Sequence, residues 1–161
     1  MKVLRNHFFE EVQAVSTDAE LYRSTSDLLS QAMRGRMATI FMYGMTGSGK
    51  TYSMNALHRE LPVDIFAHID AARGSTTSTR AKVRFHAYEL LGKRCFDLAD
   101  GKSEAETTNK TEVFLRVGGD GMTNISGITE HEVTSSDALI ERLCAAVARR
   151  ETSATGTSAK P

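Results

Sequence analysis

Gly44-Met45-Thr46-Gly47-Ser48-Gly49-Lys50-Thr51 is the stretch whose residue types and spacing can do chemistry. A glycine, four residues, then Gly-Lys-Thr is the pattern of a loop that wraps a polyphosphate. Glycines at 44, 47 and 49 let the backbone take positive φ and approach phosphate oxygens without a Cβ in the way. The N–H groups so freed form an anion nest at a helix N-terminus, where the helix dipole adds to the attraction. Lys50 supplies a cation for the β- and γ-phosphates, and the Thr51 hydroxyl a ligand for Mg²⁺. No residue in the stretch qualifies as a catalytic acid or base, so none is assigned.

Such a loop needs a strand before it and a helix after it. Residues 37–43 are apolar with no polar alternation beyond Thr39, which predicts a strand buried on both faces of a mainly parallel sheet. After the loop a helix is expected to about residue 60, closed by Pro62, with a second short helix over 63–69. Upstream, Thr17-Asp18-Ala19-Glu20 has capping-box spacing. Leu21, Leu28, Leu29 and Ala32 recur at helical intervals, and Gly35 is placed to end that helix in a left-handed turn.

Beyond polar stretches near 73–81 and 100–112, the second half alternates strand and helix signals. Val83, Phe85 and Ala87 fall on one face of a strand over 82–87, and Cys95 to Leu98 form a short apolar run after a Gly92 turn. Residues 113–117 predict a strand, 118–121 a turn, and 124–133 a further strand pair. Ser135-Ser136-Asp137 caps a helix with Leu139, Ile140, Leu143 and Val147 on one face and Arg149-Arg150 at its C-terminal end. The tail over 151–161 has no periodicity and is expected to be flexible. The alternation of strands and helices implies an α/β fold, one domain over 1–161 with its sheet flanked by helices.

Composition agrees with a soluble chain: 161 residues, 40% hydrophobic, 25% charged, no Trp. Twenty Lys+Arg balance 20 Asp+Glu, so no global field points to nucleic acid. No run is long enough to span a membrane. Cys95 and Cys144 have no CxxC spacing and read as reduced thiols of a cytoplasmic protein. The five histidines show no metal-ligand spacing. Arg80, Lys82, Arg84, Lys93 and Arg94 read as a solvated strand face, and Glu89 and Asp97 as structural polar groups at strand ends.

Residues 36–54, from Arg36 through the loop to Tyr52-Ser53-Met54, resemble the kinesin motor domain, whose loop reads IFAYGQTGSGKTxTM. The flanks agree in order. Leu21-Tyr22 is similar to the family's VY helix, and residues 83–98 to its SFxEIYNExxxDLL strand pair. Gly127-Ile128-Thr129-Glu130 with Val133 resembles its GLTExxV turn, and Arg150 to Ser158 the approach to its first switch. The resemblance implies that residues 44–51 cradle ATP phosphates with Mg²⁺ at Thr51, that the Tyr52 ring lies against adenine, and that the partner is tubulin in microtubules, in the cytoskeleton. The Arg-Gly-x-Met-Ala-Thr run before the loop is faintly similar to internal-motor kinesins.

The sequence also departs from that pattern. Met45 stands where Gln is usual and Ser158 where Asn is usual. The Arg-x-Arg-Pro adenine clamp would precede Met1, and the Ser-Ser-Arg-Ser-His and Asp-Leu-Ala-Gly-Ser-Glu switches are not among these residues. The expectation is therefore the ATP-binding part of a microtubule motor, hydrolytically silent as this chain. The alternative is a non-catalytic, kinesin-derived module that packs against a partner. An unrelated kinase or GTPase is disfavoured, because the guanine-reading Asn/Thr-Lys-x-Asp is missing.

Overall fold

The computed structural model describes residues 17–23, 25–73, 82–101, 110–119 and 121–150. The expectations for the bulk of the two polar stretches, for Arg80 and for the tail lie outside them. The chain divides into two compact units, Met1–Leu61 and Pro62–Pro161.

In the first unit the capping box forms as its spacing requires. Glu20 Oε2 accepts from the Thr17 N–H at 2.8 Å and Thr17 Oγ1 from the Glu20 N–H at 3.3 Å, and α1 (Asp18–Arg23) follows. The helical signal that reads as one run over this stretch is two helices, α1 being followed by α2 (Ser26–Met33). Gly35, at φ +82°, then turns the chain as predicted. Helix α3 (Lys50–Arg73) starts at the loop. Its apolar residues Ala56 and Leu57 are buried, as are Tyr22 of α1 and Leu29 of α2. Burying a side chain such as Leu57 contributes about 1.5–3 kcal/mol.

Two expectations fail here. Residues 36–45 are not a strand: no ladder joins them to any described residue, and Phe41 and Tyr43 are 80% and 90% exposed. A strand is a property of a pair, and apolar β-prone residues without a neighbour leave their N–H and C=O groups to water. Pro62 does not close α3 either, for one helix runs from Lys50 to Arg73 with Pro62 inside it. Only the His58 carbonyl loses its helical donor there, and the Pro62 ring is fully buried.

In the second unit the strands are β1 (Val83–Phe85), β2 (Tyr88–Leu91), β3 (Arg94–Asp97), β4 (Glu112–Val117), β5 (Thr123–Ser126) and β6 (His131–Val133), and every described pairing is antiparallel. β2-β3-β4-β5 form a meander and β1 pairs with β6, Val83 opposite Val133. The run over 82–87 stops at Phe85, and the expected pair over 124–133 separates, β5 going to β4 and β6 to β1. Asp97 explains that divergence. Its fully buried carboxylate accepts from the N–H groups of Ala99 (2.7 Å) and Thr129 (2.8 Å), fixing the chain between β5 and β6.

Ser135 caps α4 (Ser136–Arg149), its Oγ accepting from the Ala138 N–H at 3.2 Å. The buried stripe of α4 is Leu139, Ala146 and Arg149, while Val147, placed on the apolar face by the sequence, is exposed. Ile69, Cys95, Leu98, Ala99, Val113 and Val133 are also buried in this unit. Among the described residues no helix is long and apolar enough to cross a membrane.

Candidate functional site

The loop is shaped by its glycines. Gly47 and Gly49 take φ of +81° and +88°, and Gly44 takes +154°. A Cβ on Gly44 would stand 2.5 Å from Ser48 Oγ and 3.2 Å from Ser48 Cβ, so any other residue there would push Ser48 aside. The Ser48 N–H donates to the Met45 carbonyl at 3.2 Å, closing the turn. The Gly49 carbonyl accepts the first helical bond, from Ser53 at 2.9 Å, which makes Gly49 the last residue before α3. The first-turn N–H groups of α3 therefore have no acceptor within the helix and sit beside the loop.

Lys50 lies back across the loop, Nζ donating to the carbonyls of Gly44 (2.8 Å) and Met45 (2.6 Å). Met45, Thr46, Gly47, Ser48, Gly49 and Thr51 are exposed, so Thr51 presents its hydroxyl to solvent one residue into the helix. Among the described residues no three His, Cys, Asp or Glu side chains gather into a metal-binding group. A divalent cation here would depend on Thr51 together with the oxygens of a bound phosphate chain.

Tyr52 is 57% exposed at the start of α3, and its hydroxyl bonds Asp18 of α1, a neighbour that no spacing announces. Arg59, two turns further along α3, makes an ion pair with Asp18 Oδ2. The Arg59 guanidinium, and after it the Tyr52 hydroxyl, hold the Asp18 carboxyl below the usual carboxylate range. Asp18 in turn raises the Tyr52 phenol. The spacing of Tyr52 and Arg59 puts both on one face of α3, which is legible in the sequence. Their shared carboxylate, 41 residues before Arg59, is not.

Elsewhere the candidates take structural parts. Glu89 is buried against Lys110 Nζ at 2.8 Å. Lys82, Arg84 and Arg94 pair with Glu132, Glu130 and Glu112 respectively, so those three cations are neutralised by facing strand or loop acids.

A family model, the kinesin motor domain, matches residues 3–160. The chain belongs to the kinesin motor domain family. Among its kinesin relatives, KIN-8B of Arabidopsis thaliana is 28% identical over 151 residues, 90% of this chain and 18% of that protein. KIF24 of Homo sapiens is 30% identical over 157 residues, 94% of this chain and 11% of its own length. The chain thus spans under a fifth of either kinesin. A solved structure of KIF14, a dimer in a two-heads-bound state with AMP-PNP in complex with a microtubule, superposes with a TM-score of 0.74 at 27% identity. That match covers 93% of this chain and 42% of the KIF14 chain, and it supports an incomplete motor-type fold of mixed helix and sheet.

Proposed function

We propose that residues 44–51 bind the phosphates of ATP, with Mg²⁺ at Thr51 and the Tyr52 ring against the base, and that the chain is the nucleotide-binding part of a microtubule motor. The observation that carries this reading is the loop itself: glycines at positive φ, Lys50 drawn across their carbonyls, and a helix N-terminus behind them. These features fit a phosphate chain, because the donors, the cation and the dipole all favour negative charge at one place. Bound Mg²⁺ would supply charge neutralisation between phosphates, and the chain's own part is to hold and orient them. The nucleotide and the microtubule in the KIF14 structure support ATP as ligand and tubulin as partner, with a cytoplasmic, cytoskeletal place of action.

The chain on its own is proposed to hold nucleotide without hydrolysing it. Titrating a fluorescent ADP analogue with Mg²⁺ tests the reading. Saturable binding that excess ATP displaces is expected, and no displaceable binding at any concentration would remove it. The second reading, a module that docks on a partner without nucleotide, is favoured by the exposed Met37, Phe41, Tyr43 and Met45, and the same titration separates the two.

A further inference from the structure

Tyr52 is the third residue of α3, directly after Thr51, and more than half of it is open to solvent. A side chain so exposed would ordinarily move among rotamers, and ordering it against a ligand has a cost. Here the ring is held before any ligand arrives. Its hydroxyl bonds the Asp18 carboxylate. Asp18 is the first residue of α1, whose start is set by the reciprocal bonds of Thr17 and Glu20. Arg59, about two turns beyond Tyr52 on the same face of α3, pairs with Oδ2 of the same carboxylate. The three side chains bracket α1 to α3 within the first compact unit.

The Arg59 and Asp18 side chains are 54% and 29% exposed, so their ion pair contributes little to stability. What it changes is freedom. A ring gripped at its hydroxyl end loses less on meeting a ligand than one that must first be ordered. We infer that Asp18, backed by Arg59, is a positioning residue for Tyr52, presenting its ring as a pre-set platform for the aromatic base of a nucleotide whose phosphates occupy the loop. Asp18 has this role only if residues 44–51 bind nucleotide, so it rests on the reading given above. It adds that affinity for the base, and not for the phosphates, depends on a carboxylate supplied by another helix.

The test compares two ligands on the full chain by competition with a fluorescent ADP analogue: Mg·ADP, and inorganic tripolyphosphate with Mg²⁺, which has phosphates but no ribose or base. Tyr52→Phe keeps the ring and loses the hydroxyl, and Asp18→Ala removes the anchor. Each should weaken Mg·ADP about two- to tenfold, the factor expected when one more side chain must be ordered on binding, and leave tripolyphosphate unchanged. The double variant should bind no more weakly than the weaker single one, because both remove the same bond. Ring resonances of labelled Tyr52 should also move upfield on adding Mg·ADP, further in the unaltered chain than in Asp18→Ala, and they decide should tripolyphosphate bind too weakly to rank. Should Asp18→Ala fail to fold, Tyr52→Phe, which alters one exposed side chain, decides alone. Binding of neither ligand to the unaltered chain removes the nucleotide reading and the role of Asp18 with it. Mg·ADP binding that the variants leave unchanged, a loss that tripolyphosphate shares, additive losses in the double variant, or Tyr52 resonances that Mg·ADP does not move overturn the role of Asp18 alone.

Discussion

Lys50 Nζ stands 2.8 Å from the carbonyl oxygen of Gly44, so the cation of the loop rests on the loop's own backbone. Those contacts are with exposed carbonyls and contribute little to stability, whereas a charge-assisted bond to phosphate is worth about 1.5–3 kcal/mol. Lys50→Ala is therefore expected to weaken Mg·ADP binding by roughly ten- to hundredfold. Its unfolding free energy should stay within about 0.5 kcal/mol of the unaltered chain. A fluorescent-analogue titration beside a thermal melt measures both, and equal nucleotide affinity in the two proteins would refute the part given to Lys50.

Asp18 ties the start of α1 to Tyr52 and Arg59 of α3. Arg59 and Tyr52 hold its carboxyl below the ordinary value of 3.8, so this contribution is present above that pH and is lost as pH falls through the lowered value. Asp18→Asn should flatten the acid limb of a stability profile. It should also bring the Tyr52 phenol, now raised above 10.0, back toward that value. Labelled-tyrosine NMR across pH 8–12 reads it directly (roughly the range in which phenols titrate). A Tyr52 titration unchanged by the substitution would mean that the two side chains do not communicate.

The parts of this chain that sequence made legible are those whose cause is local. Thr17 and Glu20 lie within reach of one another along the chain, as do Ser135 and Ala138, and both caps formed as read. The glycine pattern of the loop is also local, since positive φ is a property of single residues. What failed depends on distant partners. Residues 36–45 have the composition of a central strand but no described strand beside them, and their composition alone cannot supply one. Asp97 binding the N–H of Thr129, and Asp18 meeting Arg59, join residues 32 and 41 positions apart. Nothing in the spacing of either pair announces the contact.

Asp97 offers a stability test of that long-range bond. Its carboxylate serves two backbone donors and is fully buried, so Asp97→Ala leaves both N–H groups without their acceptor. A loss of about 2–5 kcal/mol is expected. Asp97→Asn keeps one acceptor oxygen and should lose less. Urea unfolding of the three proteins ranks them, and an Asp97→Ala protein as stable as the parent would remove Asp97 from its place between β5 and β6.

The exposed stretch before the loop makes a different prediction. Met37, Phe41, Tyr43 and Met45 are exposed along a segment that no ladder joins to any described residue, a template for association. Amides over 38–43 should exchange rapidly, and the chain should self-associate as its concentration rises. Phe41→Ser with Tyr43→Ser should suppress that association and shift stability by no more than about 0.5 kcal/mol, as for other solvent-facing substitutions. Slow exchange over the segment in a monomeric sample would show that it is paired after all.

Catalysis is where these residues are expected to fall short. Holding a substrate equally well before and at the transition state does not speed the reaction. Phosphoryl transfer also needs a group that orients the attacking water and donors that meet the developing charge. The acids with defined partners are already engaged. Glu89 is held by Lys110, Asp97 by two backbone N–H groups and Asp18 by Arg59. No Asp-x-x-Gly follows the loop in these 161 residues. The isolated chain should bind nucleotide yet release no phosphate above background, and added microtubules should not change that. Steady-state phosphate release with and without microtubules measures it. Turnover abolished by Lys50→Ala would reveal a catalytic group within these residues. Turnover that survives Lys50→Ala would be traced to a contaminating ATPase and removed by further purification before the comparison is repeated.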